Sequence, residues 1–182
     1  MKTLYLERSV STGRNGDWVN ELDLAGVERI VVGMGPGSFA GIRSALAFAR
    51  GYALGRSLAV FGLPSPCAVA AGFFRTAGQC PLAVVGDARR GMCWIALFDG
   101  YALTREVFQV VSSALPAALP PEMPVVTPDA ARIGDFLRET FGERYRGGMT
   151  PTAADLEAFV LANPSALVRD PLPIYLNPAV RP

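Results

Sequence analysis

Not one histidine occurs in the 182 residues. That absence excludes Ser-His-Asp and Cys-His nucleophilic mechanisms, imidazole acid–base chemistry and His-ligated metals within this chain. Cysteine is scarce. Cys67, Cys80 and Cys93 are odd in number and form no close pair, which argues against a disulfide framework and against zinc. They read as small core residues in a reduced, cytoplasmic setting. Charge is sparse too, at 18% of residues with a net charge of +1. No Lys/Arg run is long enough to line a nucleic-acid groove, so any RNA contact would depend on another subunit's cations. No apolar run approaches the ~20 residues that span a bilayer. The opening "MKTLYLERSV" reaches Glu7 and Arg8 after one short apolar burst, unlike a signal peptide. No membrane association is expected.

Apolar residues make up 51% of the chain, enough for a well-buried core in one domain or two small lobes. The pattern alternates between strands and helices. "TLYLE", "RIVVGM" and "AVFGL" read as strands, residues 38–54 as a helix, and Cys67–Thr76 as a shorter helix. "PLAVVGDARRGMCWIALFDG" reads as a hairpin, with Leu82–Val85 out, "DARRG" as the turn and Met92–Phe98 back. Tyr101–Val111 adds a partly alternating segment, and "PVVTP" a further strand. "ALPAALPPEMP" reads as a connector around the core. "ARIGDFLRETFG" puts Ile133, Phe136, Leu137 and Phe141 on one helical face. "TPTAADLEAFVLANP" carries helix-start chemistry, with Thr150 or Thr152 as cap. The tail "PLPIYLNPAV" is a short apolar element between prolines. Strands in two groups, each with helices, predict an α/β protein with lobes at 1–78 and 79–182.

The chemically suggestive stretch is "VVGMGPGSFAGIRSALAFARGYALG", Val31 to Gly55. No lysine follows its glycines, which rules out a Walker A loop. Ser38 occupies the third glycine position of a dinucleotide fingerprint, and no acidic residue follows at a ribose-binding distance. Ser38 also lacks the flanking glycines of a nucleophile elbow. What remains is a tight turn, Gly35-Pro36-Gly37, feeding a helix capped by Ser38. The free N–H groups there could hold an anion. A turn and cap with no ligand explains the loop at least as well.

The helix itself has almost no polar side. At 100° per residue, Ala40, Ser44, Ala47, Gly51 and Gly55 fall within an arc of roughly 80°. Ile42, Ala45, Leu46, Ala49 and Ala53 form a second, larger face, and Arg43 and Arg50 share the only charged edge. Such a helix should pack on two sides, the larger residues on a sheet and the small ones on another helix at close range. The pattern slightly favours a helix of this same chain over one from a partner. Asp87 and Arg89 of "GDARRG" read as turn residues, with an acid–base pair between lobes as the functional alternative.

"GPGSFAGIRSALAFARGYALG" resembles the "GPGSFTGLR" signature of the TsaB (YeaZ) family. "FGLPSPCAVAA", "VVGDARRGMCWIALFDG" and "PIYLNPAV" are similar to that family's later segments. The resemblance implies a two-lobed actin/Hsp70-like (ribonuclease H-like) α/β fold. It also implies a non-catalytic subunit that joins a TsaD-like catalytic subunit and a TsaE-like ATPase in making threonylcarbamoyladenosine beside the tRNA anticodon. The chain would self-dimerise when alone and meet tRNA only through the complex. The interface that the resemblance implies runs over Gly35, Pro36, Gly37, Ser38, Phe39, Ala40, Arg43, Ser44, Ala47, Arg50 and Gly51. No catalytic residue, cofactor or metal is implied. Where the family opens with a strand ending in "DTS", a hairpin and a long helix, this chain has "LYLERS" and then about twenty residues. A truncated first lobe is therefore expected, without useful nucleotide binding. The competing readings are a degenerate, self-associating homologue and a nucleotide-dependent transferase or glycoprotease-like enzyme.

Overall fold

The structure, a computed structural model, describes residues 1–10 and 17–176. Three strands, β1 (Lys2–Leu6), β2 (Val27–Gly33) and β3 (Ala59–Leu63), run parallel in that order. Among the described residues, what lies between β1 and β2 is one short 3-10 helix, Asp17–Glu21, and no strand. α1 (Phe39–Leu54) crosses from β2 to β3. After α2 (Pro66–Ala77), a second sheet begins with the antiparallel hairpin β4 (Pro81–Arg89) and β5 (Met92–Asp99). Two short strands, β6 (Ala102–Leu103) and β7 (Phe108–Val111), pair with the far edge of β5. α3 (Leu115–Ala118), β8 (Val125–Thr127), α4 (Ala130–Phe141) and β9 (Tyr145–Gly148) complete that half, with β8 parallel to both β4 and β9. α5 (Ala153–Ala162) follows, and β10 (Val168–Arg169) returns to the edge of the first sheet beside β3.

Three apolar clusters arrange these elements in layers. α1 sets Ile42, Ala45, Leu46, Ala49 and Ala53 against Leu4, Leu6, Ile30 and Val32 on the outer face of the first sheet. α2 and α5 fill the space between the two sheets, touching Val31 and Leu63 on one side and Leu82, Val84, Ala96 and Phe98 on the other. α2 buries nine of its residues, Pro66 to Phe74 without a break, as a helix covered all round must. α4 covers the outer face of the second sheet with Leu137 and Phe141 against Val85, Ile95 and Val125. Ile133 and Phe136 lie partly buried on that same face, as the helical spacing predicts.

The expected order of elements holds, with three local corrections. The hairpin turn is tighter than "DARRG": β4 continues to Arg89, Asp87 pairs with Cys93, and the chain reverses at Arg90 and Gly91, both at positive φ. A register shift between Asp87 and Arg89 lets the last residue turn. The Pro-rich connector contributes core, since Pro116 fits the first turn of α3 and Leu115 and Leu119 are buried. β9 and β10 have no alternating apolar signal; "YRGG" is ordered by β8 and "VR" by β3. The cap of α5 is Thr152, in a reciprocal capping box with Asp155. In the tail, residues 171–176 form no regular element, and Asn177–Pro182 lie outside the described residues.

Candidate functional site

The glycine loop is held from three directions. The Gly35–Pro36 peptide is cis, and Gly35 N donates to Ser65 Oγ at 3.0 Å. Ser65 Oγ in turn donates to Glu7 Oε1 at 3.2 Å, and that same oxygen accepts from Ser9 N at 2.7 Å. Gly37 sits at positive φ with the Ser9 carbonyl where a side chain would be, so the chain can pass only because that residue is glycine. Ser38 caps α1 as expected, its Oγ accepting from Gly41 N at 3.3 Å. Its own N–H donates to Ser9 O at 2.5 Å. Segment 8–9 therefore lies over the start of α1 and takes up the Ser38 N–H.

Burial pushes the Glu7 carboxyl above its ordinary range, with the hydrogen bonds from Ser9 and Ser65 acting in the opposite sense. Burial likewise pushes the Cys67 thiol well up, and the nearby Glu7 charge adds to the effect. Such a thiol is a core group and not a nucleophile.

The small-residue face of α1 is open. Ala40, Ser44, Ala47, Gly51 and Gly55 are all exposed, and the space beside Gly51 and Gly55 holds no atom within 4 Å of where a side chain would start. Among the described residues no helix covers that face, which corrects the expectation of an internal partner. The nearest elements had already found other faces to bury: α2 lies between the sheets, and α4 is on the far side. Leu54, 86% exposed, extends the open face at its C-terminal end, and Phe39, 49% exposed, stands at its start.

Gly35 and Pro36 are buried beneath the loop, while Gly37, Arg43 and Arg50 are exposed. Both arginines are engaged with residues 171–175, a segment with no motif that would place it there. Arg43 lies over the Phe39 ring at 3.7 Å, and its Nε donates to Tyr175 Oη at 2.6 Å. Arg50 donates to the Pro171 carbonyl at 2.7 Å. Residues 171–175 thus run along the charged edge of α1 and leave the small face clear.

The second half contributes a cleft. A cavity of about 420 Å³ opens between the start of α1, the ends of β4 and β8 and residues 174–176. Asp87 and Asp129 both line it. Asp87 N donates to Asp129 Oδ2 at 2.9 Å, and Asp87 Oδ1 accepts from Arg89 N at 2.8 Å. Arg132 reaches Asp87 at 3.4 Å and Asp129 at 3.6 Å. Burial pushes the Asp129 carboxyl up, and the Asp87 N–H bond lowers it. Asp87 is therefore a hydrogen-bonded strand residue and not the turn residue expected. Among the described residues no three acidic or cysteine side chains stand close enough to hold a metal.

The family described as TsaD: tRNA N6-adenosine threonylcarbamoyltransferase matches residues 19–125. The chain is 35% identical over 76 residues to the tRNA threonylcarbamoyladenosine biosynthesis protein TsaB of Escherichia coli (strain K12). That similarity covers 42% of this chain and 33% of the E. coli protein, so the chain spans about a third of the curated relative it matches. Two solved structures from Pseudomonas aeruginosa superpose over nearly the whole length. One is a protein with similarity to peptidase YEAZ, at TM-score 0.71 and 20% identity, covering 96% of this chain and 99% of that one. The other is YeaZ, at TM-score 0.69 and 19% identity, covering 95% and 99%. At that identity the likeness speaks for the fold alone, and it agrees with the two-sheet, actin-like arrangement. With more than half its length inside the matched family, the chain belongs to the TsaD-like family.

Proposed function

We propose that this chain is a non-catalytic partner subunit in the formation of threonylcarbamoyladenosine on tRNA, working in the cytoplasm. In this reading the open face of α1 is where a TsaD-like catalytic subunit docks. A TsaE-like ATPase joins the same assembly, and tRNA is met only there. When the chain is alone, the same face serves a homodimer. The observation that carries the reading is the exposure of Ala40, Ser44, Ala47 and Gly51 on a helix whose charged residues, Arg43 and Arg50, are confined to one edge. Small side chains let a second helix approach closely, and an open apolar face of this kind marks an association surface. The absence of histidine weighs against imidazole-based chemistry of its own. No helix among the described residues is long and apolar enough to cross a membrane.

The test is capture from a lysate of the source organism with the full chain as bait. Recovery of a TsaD-like protein supports the proposal. Recovery of the chain's own copies alone favours the degenerate, self-associating homologue.

A further inference from the structure

The cleft between the sheets holds a matched set of unused hydrogen-bonding groups. Trp94 and Gln109 are directly paired across β5 and β7, so their side chains share one face of the sheet, and both line the cavity. Trp94 is only 2% exposed, with its indole ring lying against Gly86, where no side chain intervenes. Trp94 Nε1 and Gln109 Nε2 are buried, and neither has an acceptor. Two adjacent orphaned donors are costly. Asp129, which lines the same cavity, has the reverse shortfall. Asp129 Oδ2 accepts from Asp87 N, while its Oδ1 has only Arg132 at 3.6 Å.

We propose that this cleft binds a small amino-acid-type zwitterion. Its carboxylate accepts from Trp94 Nε1 and Gln109 Nε2, and its ammonium donates to Asp129 Oδ1. A cavity of about 420 Å³ is at the small end of ligand sites and admits such a molecule with room for water. The charges favour a zwitterion over a polyphosphate. Asp87 and Asp129 balance Arg89 and Arg132 within the cluster, leaving no surplus positive charge for a multiply charged anion. Carboxylate-to-donor and ammonium-to-carboxylate contacts are both charge-assisted and short-ranged. They satisfy the orphaned donors and the free Asp129 oxygen at once, which neither a simple carboxylate nor a simple amine does.

The test follows the Trp94 indole N–H signal of the ¹⁵N-labelled full chain while L-alanine, acetate, methylamine or tripolyphosphate is added. A Trp18→Phe background leaves a single indole. L-alanine is expected to shift that signal saturably, with acetate and methylamine each weaker by about tenfold, the loss expected for one charged contact. Tripolyphosphate should leave it unmoved. Gln109→Leu and Asp129→Asn should each weaken L-alanine by a similar factor. Asp129→Asn keeps an acceptor for Asp87 N, so it decides the matter should Gln109→Leu fail to fold. No saturable shift with L-alanine, tighter binding of tripolyphosphate, or undiminished L-alanine binding by Asp129→Asn each overturns the proposal.

Discussion

The carboxyl group of Glu7 occupies the space that a side chain at Gly33 would need. A methyl group at residue 33 would run into Glu7 Oε2 and Ser65 Oγ. Glu7 Oε2 itself is buried and has no hydrogen-bond partner, while Oε1 gathers Ser9 and Ser65. The end of β1, the end of β2 and the start of α2 therefore meet around one enclosed acid. Gly33→Ala is expected to cost about 1–3 kcal/mol through overpacking. Glu7→Ala in the same chain should cancel part of that cost. Urea midpoints of the two single variants and the double variant measure the coupling.

Glu7 also predicts a pH dependence. Its folded-state pKa is raised above the ordinary value of 4.5 by burial. The folded chain then binds more protons than the unfolded one, so the group's contribution is fully present below about pH 4.5 and is lost as pH rises through the folded value. Glu7→Gln keeps an oxygen for Ser9 and Ser65 and removes the charge. Relative to wild type, the variant should gain stability steadily from pH 4.5 towards neutrality and lose that advantage in acid. Thermal melts across that range check the sign, and a wild type that gains on the variant as pH rises contradicts it.

Asp155 ties α5 to α2. It is 2% exposed, its Oδ2 accepts from Thr152 Oγ1 at 2.6 Å and from Thr152 N at 3.1 Å, and Arg75 reaches its Oδ1 at 2.9 Å. Thr152→Ala should cost about 1 kcal/mol as a lost cap. Asp155→Ala removes the cap's other half and the carboxylate paired with Arg75, and should cost about 2 kcal/mol. Chemical denaturation orders the two. Equal losses would mean that the Arg75 contact adds nothing.

Asp87→Asn should fold and associate as wild type does, because an amide oxygen still accepts from Arg89 N and the arginines it pairs with are solvated. Size-exclusion and melting curves check this. A variant that folds normally yet no longer supports tRNA modification would favour the functional alternative, an acid–base role for Asp87.

Much of this architecture was legible in the residues, for physical reasons. Ser38 is the cap of α1 because the sequence puts a hydroxyl just after a glycine turn and before an unbroken apolar pattern. Ile42, Ala45, Leu46, Ala49 and Ala53 mark its buried face by spacing alone. The covering of the small face was not legible. The same pattern of small residues serves an internal helix or an external one, and only the placement of α2 between the sheets and α4 beyond them settles that it is open. Arg43 and Arg50 looked like free edge charges, since nothing in "PLPIY" announces that it will run beside them more than 120 residues later. Asp87 was misplaced by its neighbours: "DARRG" has turn composition, yet pairing with Cys93 keeps it in β4. Trp94 reads only as a strand residue of "GMCWIALFDG" and Gln109 carries no motif; their significance arises from strand register.

The central claim is that the open face of α1 holds the partner. The direct measurement is sedimentation velocity of the chain mixed with the TsaD-like subunit of the same organism, comparing wild type with Ala47→Arg and Gly51→Glu. Both positions are exposed, and Gly51 has open space beside it, so each variant should fold with stability within about 0.5 kcal/mol of wild type. The account predicts a complex, or a homodimer when the chain is alone, for wild type, and separate monomeric species for both folded variants. A wild type that stays monomeric at high concentration and ignores the TsaD-like subunit, or folded variants that still associate, would contradict it.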